Sequence, residues 1–256
     1  MLALTRDVSP AMADCQLTHL SRLPLDVELA ATQHAAYERA LESLGCTVHR
    51  LAATAAMPDA VFIEDTAVVL DEIGIITRPG AESRRQETAA IEEWLKHRVL
   101  LARIEPPGTM DGGDVLAVGR RIFVGETSRT NADGLDQFRR IVEYFGYAMT
   151  QVEVHGCLHL KSAVTAIADD VLLLNRAWVS DRAFDGCELI DVHPHEALAA
   201  NVVRVGRRLL SSDAFPWTVE RLRGRGADVT TVDVSELAKA EGAVTCCSLI
   251  MNTPES

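Results

Sequence analysis

Short apolar runs, paired across tight polar turns and followed by an amphipathic helix and one more run, recur about every 50 residues along this 256-residue chain. Runs of roughly four to eight apolar residues bounded by turn formers are strand-like, and apolar residues three and four apart mark one face of a helix. Strands are expected at Val61–Ile63, Ala67–Leu70, Ile73–Thr77, Val99–Ile104, Val115–Val118, Ile122–Val124, Met149–Val154, Ala163–Ala168, Val171–Leu174 and Val229–Val232. Asp71-Glu72 and Asp169-Asp170 read as hairpin turns. Asp26 is placed to cap a helix reaching about Leu44, with Ala30, Tyr37, Leu41 and Leu44 on one face and Gly45 as its stop. Further helices are expected over about Ser83–His97, from Thr130 to Gly146, and over Pro216–Arg223. The start at Thr130 rests on Thr130-x-x-Asp133, a capping box with the shorter acid. With no Gly-, Pro- or Ser-rich linker, the alternation argues for one α/β domain over residues 1–256.

Composition narrows the class. At 48% hydrophobic and 24% charged residues, the chain can bury enough apolar surface to offset its ordering entropy. Its longest apolar runs, such as Val171–Leu174, fall far short of the ~20 residues that span a bilayer. Met1–Asp7 shows no secretory leader. Against 37 acidic residues stand 25 basic ones, a net charge of −12 that repels phosphate backbones and anionic lipids. Nucleic acid and membrane partners are therefore not expected, whereas a small cationic ligand suits that field. Cysteines at 15, 46, 157, 187, 246 and 247 form no C-x-x-C pair, so reduced thiols in a cytoplasmic setting, without structural zinc, are expected.

Four short stretches place polar residues where a core has no need of them. Pro58–Asp65 ends an apolar run in two adjacent acids, which fit a solvated strand-end turn as well as a cation site. Thr77–Arg85 sets Arg84 and Arg85 ahead of a helix, either as surface charge or as a guanidinium fork for a carboxylate. Asp111-Gly112-Gly113-Asp114 is a turn between strands, or a place where backbone approaches a ligand with acids at the rim. His159–Ser162 opens a strand with a histidine that is structural or catalytic. The C-terminal stretch Glu241–Leu249 adds Cys246 and Cys247. A cysteine with a histidine and acids elsewhere has the components of a thiol nucleophile, although core cysteines fit the same residues.

Phe62–Val69, Ile76–Arg84, Asp111–Leu116, Phe123–Gly125 with Arg129–Asn131, His159–Ser162 and Gly242–Leu249 follow one another across most of the chain. In that order they resemble the dimethylarginine dimethylaminohydrolase family of the guanidino-group modifying superfamily. The resemblance implies an α/β fold of five ββαβ modules around a pseudo-fivefold axis, the pentein propeller. It also implies hydrolysis of an asymmetrically methylated arginine to citrulline and a methylamine, with no cofactor and no resident metal.

Carried onto these motifs, the resemblance makes Cys246 rather than Cys247 the nucleophile. It makes His159 the group that protonates the departing amine and later deprotonates water. Asp65 and Asp111 are implied beside the guanidinium, with Asp111 counted among the catalytic groups; bacterial relatives often carry Glu there. Arg84 and Arg129 are implied for the substrate carboxylate. Asp59 and the backbone near Leu17 are implied for the α-amine, and Glu64 and the Ala240 carbonyl for the pocket wall. Zn²⁺ captured by Cys246, His159 and nearby acids would inhibit. A homodimer is compatible with all of this.

Two other functions fit parts of the pattern. Deiminases of arginine or agmatine typically carry H-x-D at the catalytic histidine, where this chain has His159-Leu160-Lys161. Dimethylation removes N–H donors from the guanidinium, so loss of that acid suits a methylated substrate. The other is a non-catalytic binder on the same propeller, which would be expected to lack the Cys, His or Arg positions present here.

Overall fold

The recurring unit is a hairpin whose second strand pairs in parallel with a third, the connection crossing between them. A computed structural model describes residues 1–252 and contains five such three-stranded sheets. The chain begins with β1 (Leu2–Arg6), α1 (Val27–Ser43) and β2 (Thr47–Leu51). The second module is β3 (Ala67–Val69), β4 (Ile73–Ile76), α2 (Thr88–Leu95) and β5 (Leu100–Arg103). The third is β6 (Val115–Val118), β7 (Arg121–Glu126), α3 (Ala132–Tyr144) and β8 (Ala148–Glu153). A single turn, α4 (Leu160–Ala163), leads into β9 (Val164–Ala168), β10 (Val171–Leu174) and β11 (Glu188–Asp191), joined by a 3-10 turn in place of a helix. The fifth module is β12 (Val203–Val205), β13 (Arg208–Ser212), α5 (Pro216–Gly224) and β14 (Asp228–Val232). After α6 (Ser235–Lys239), β15 (Leu249–Met251) pairs antiparallel with β1, so the first module is completed by the other end of the chain. This is the pentein α/β propeller.

Local chemistry explains most boundaries. Asp26 caps α1 by accepting from Leu29 N at 3.0 Å, and Gly45, with φ +97°, ends it. The cap of α3 is Asn131, which accepts from Gly134 N at 2.8 Å. Thr130 is not the cap, because its hydroxyl donates to Asp114 instead. The expected helix from Ser83 starts as a 3-10 turn over Glu82–Glu87, where Arg84 turns inward, and becomes α-helical at Thr88. Val61–Ile63 is not a strand. It belongs to a turn running into a 3-10 helix over Ile63–Thr66, and its apolar residues are buried without ladder pairing.

Five apolar clusters occupy the five seams between neighbouring modules. Tyr37 and Leu41 of α1 meet Leu210 and Val232 at one seam; Ile75, Ile122 and Phe138 fill another. Each module thus buries its apolar face against the next, which is why none is expected to be stable alone. The modules' first strands pack on one another, β15 on β3, β6 on β9 and β9 on β12, around the pseudo-fivefold axis.

Candidate active site

A short turn precedes the first strand of every module, and four of these five turns carry residues singled out from the sequence. Asp65 precedes β3, Asp111 precedes β6, His159 precedes β9 and Cys246 precedes β15. The fifth turn carries Asn201, whose amide bonds Lys161 O (3.0 Å) and Thr245 Oγ1 (2.9 Å) and so holds the histidine and cysteine turns together. Asp59, Asp65, Arg84, Asp111, Arg129, His159, Ala240 and Cys246 all line one narrow pocket. Gln16, Phe62, Leu158 and Glu241 complete its wall.

The Gly112-Gly113 pair lets protein, rather than ligand, come close. A Cβ on Gly112 would lie 2.1 Å from Glu64 O, and one on Gly113 would lie 2.8 Å from the His159 ring. Gly113 N instead donates to Asp65 Oδ1 at 3.1 Å. Asp111, fully buried, accepts from Gly80 N at 2.8 Å and faces His159 Nε2 at 3.0 Å. Asp65 Oδ1 is 3.8 Å from the same nitrogen. Burial disfavours charge on His159, but the Asp65 charge and the Asp111 hydrogen bond outweigh it and push its pKa up to about 9. Burial likewise opposes ionisation of Asp65, yet His159 and Arg84 bring its pKa down to about 2. Burial, with Glu64 and Asp65 nearby, pushes the Cys246 thiol up to about 12. Both shifts favour an imidazolium and a neutral thiol in the ligand-free pocket.

Arg84 reaches the pocket wall with its guanidinium already engaged, by Glu87 (2.9 Å), Asp65 Oδ2 (2.6 Å) and Phe62 O (2.8 Å). Arg129 is half-buried and donates to Thr18 Oγ1 at 2.8 Å. Asp59 accepts from Gln16 N at 3.0 Å, and burial raises its pKa against the pull of Arg84. Two expected residues lie outside the lining. Leu17 packs on the α1 cluster while its neighbour Gln16 faces the pocket. Glu64 points behind it, paired with Lys161 Nζ at 2.5 Å and accepting from Thr245 Oγ1 at 2.8 Å.

Three residues given no role from the sequence matter to this geometry. Lys161 neutralises Glu64. Glu241, in the left-handed region at φ +60°, accepts from the backbone N–H groups of Thr18, His19 and Leu20, strapping that segment beside the pocket. Asp114, the second acid of the Asp-Gly-Gly-Asp turn, anchors the residue after His159.

Comparison with known proteins agrees with the geometry. The family model for eukaryotic N,N dimethylarginine dimethylhydrolase matches residues 24–251. The N(G),N(G)-dimethylarginine dimethylaminohydrolase of Streptomyces coelicolor is 40% identical, over 96% of this chain and 95% of its own length. That of Pseudomonas aeruginosa is 38% identical, over 88% of this chain and 89% of its own. A cysteine-to-serine variant of the Pseudomonas enzyme, solved with citrulline, superposes with a TM-score of 0.92 and 35% identity, covering 96% of this chain and 97% of that one. A dimethylarginine dimethylaminohydrolase histidine-to-glycine variant, solved as its adduct with S-methyl-L-thiocitrulline, gives a TM-score of 0.91, again at 35% identity, covering 96% of this chain and 98% of that one. At this identity and coverage the likeness extends beyond the fold, and the chain belongs to the dimethylarginine dimethylaminohydrolase family.

Proposed function

We propose that this protein is a cysteine hydrolase of N(ω)-methylated L-arginine, producing L-citrulline and dimethylamine or methylamine. The observation that carries this reading is His159 held between the carboxylates of Asp65 and Asp111 and sharing one pocket with Cys246. A bound guanidinium brings positive charge against the thiol and favours its ionisation, the thiol proton passing to solvent. The thiolate adds to the central guanidinium carbon, and the His159 proton passes to the methylated nitrogen as its C–N bond breaks. An amide anion is far too basic to leave without that proton. Dimethylamine departs and an S-alkylthiouronium remains on Cys246. The now neutral His159 takes a proton from water, the hydroxide adds to the same carbon, and the C–S bond breaks as the new hydroxyl gives its proton to solvent, releasing citrulline and the thiolate.

In this reading Asp65 and Asp111 hold the guanidinium plane for attack from one face. Arg129 meets the substrate carboxylate, with Arg84 adding its charge from behind Asp65. Asp59 and the backbone near Leu17 receive the α-amine, and the Ala240 carbonyl completes the pocket wall. Glu64 contributes through its field on the thiol, its oxygens being engaged by Lys161 and Thr245. We place the reaction in a reducing cytoplasm, in keeping with six free cysteines, and assign it to a single catalytic domain over residues 1–256.

A citrulline assay run in parallel on asymmetric dimethylarginine, monomethylarginine, arginine and agmatine tests the substrate. The methylated arginines should be turned over best; arginine as the best substrate would move the protein to the deiminases. Lys161, paired with Glu64, stands where the deiminases carry an acid, which favours the methylated substrate.

Zinc should inhibit. Among the described residues the three donors that converge are Asp65, Asp111 and His159, whose ligand atoms lie within 4.8 Å of one another, so of the expected thiol, imidazole and nearby acids it is the imidazole and the acids that form the capture site. A metal must displace the His159 proton, which is held up to pH about 9, so inhibition should strengthen as pH rises from 7 to 9. Activity that falls on adding a chelator, or inhibition that weakens over that range, would exclude this site.

A further inference from the structure

We propose that Asp114 is a positioning residue that locks the acid–base histidine and the carboxylate-binding arginine into one register. This rests on the proposed methylarginine hydrolysis for the roles of His159 and Arg129, and on geometry for the link between them. Asp114 is fully buried and does not line the substrate pocket. Its Oδ1 accepts from Leu160 N at 3.1 Å, which fixes the turn that begins at His159. Its Oδ2 accepts from the hydroxyls of Thr127 and Thr130, each at 2.6 Å. Those two residues flank Arg129, and Thr127 Oγ1 in turn accepts from Arg129 N at 3.1 Å. Thr130 Oγ1 also accepts from Asp111 N at 3.4 Å. One carboxylate therefore holds the backbone beside three of the residues around the pocket.

All three bonds are donated to Asp114, and a neutral amide has only one accepting oxygen, so the ionised carboxylate fits this set where asparagine does not. Burying a carboxylate is costly unless its interactions offset it, and burial pushes the Asp114 pKa up to about 6. Its charge acts on His159, which also faces Asp65 and Asp111, with Arg84 behind Asp65 and Cys246 across the pocket. On its own segment, Lys161 is paired to Glu64, and Cys157 donates its S–H to the His159 carbonyl. Asp114 thus brings a third carboxylate to the segment that carries the imidazole while fixing its backbone.

The experiment combines Asp114→Asn, Thr127→Val and Thr127→Ser with wild type. The readouts are kcat and KM on asymmetric dimethylarginine, thermal unfolding, and NMR titration of His159 in the ligand-free protein. Asp114→Asn should lower the His159 pKa from about 9, because a negative neighbour is lost. It should also reduce kcat/KM by about 10²-fold through misplacement of the histidine. Thr127→Val should raise KM about fivefold with little change in kcat, and Thr127→Ser should restore it. An Asp114→Asn protein with unmoved His159 titration and wild-type kinetics overturns the inference. So does a lower kcat with unchanged KM and unchanged titration, which marks only a smaller folded fraction. If Asp114→Asn does not fold, Thr127→Val decides, and an unchanged KM there counts against the proposal. A wild type that makes no citrulline would defeat the functional reading alone, because the His159 titration still tests the Asp114 link.

Discussion

Cys246→Ser should abolish citrulline formation, by about 10⁴-fold or more, whereas Cys247→Ser should stay near wild type. The two sulfurs are adjacent in sequence and opposite in surroundings. Cys246 lines the pocket with His159 and Asp111. Cys247 has no exposed surface, directs its S–H toward Ala243 O at 3.5 Å and packs in the cluster around α1. Serine at 246 keeps the size but replaces a thiol, already held up to about 12, by a hydroxyl that ionises far less readily. The same raised pKa predicts slow alkylation of Cys246 by iodoacetamide at pH 7 in the ligand-free enzyme, since the thiolate is the nucleophile. Bound citrulline should protect it further by filling the pocket. Peptide mapping of the alkylated residue, beside citrulline assays of both variants, checks the assignment. An active Cys246→Ser with a dead Cys247→Ser would reverse it.

Hairpins and helices with local signals were readable from the chain; elements with distant partners were not. β3–β4, β6–β7 and β9–β10 pair across short turns, so apolar run, turn and apolar run stand together in sequence. β1 finds β15 at the other end of the chain, and β2 is largely exposed, so neither carries a continuous apolar signal. β12 is interrupted by Arg204, and β13 opens on Arg208 and ends in buried serines. Val61–Ile63 misled because apolar residues buried at a seam need not belong to a ladder. The site shows the same division. Asp65, Asp111, His159 and Cys246 stood out because each sits in a polar turn directly ahead of an apolar strand. Asp114 reaches Leu160, 46 positions away, and Glu241 reaches Thr18, 223 positions away, and no local period exposes such partners. Arg84 was legible as a charge, but its engagement by Glu87 and Asp65 appears only in space.

His159→Gln should lower kcat on asymmetric dimethylarginine by about 10²–10⁴-fold, and the form of the loss identifies the role. Glutamine can hydrogen-bond Asp111 but cannot deliver a proton to an amine leaving group. In the wild-type free enzyme the reactive state has one proton fewer than the resting imidazolium–thiol pair, and His159 loses its proton at about 9. The profile of kcat/KM should therefore rise with pH toward about 9, while kcat levels off at lower pH because the bound cation favours the thiolate. In His159→Gln only the thiol near 12 remains, so kcat/KM should go on climbing past pH 9. A substrate whose leaving group needs no proton separates the two halves of the reaction. With S-methyl-L-thiocitrulline, methanethiolate can leave unaided, so the variant should release methanethiol in a burst of about one equivalent per Cys246. It should then stall, because no imidazole remains to activate water, and mass spectrometry should find the thiouronium on Cys246. Steady turnover of this substrate by His159→Gln would remove the histidine from the second step. Absence of both burst and adduct, in a folded variant, would make His159 a partner of the thiol rather than an acid to the amine.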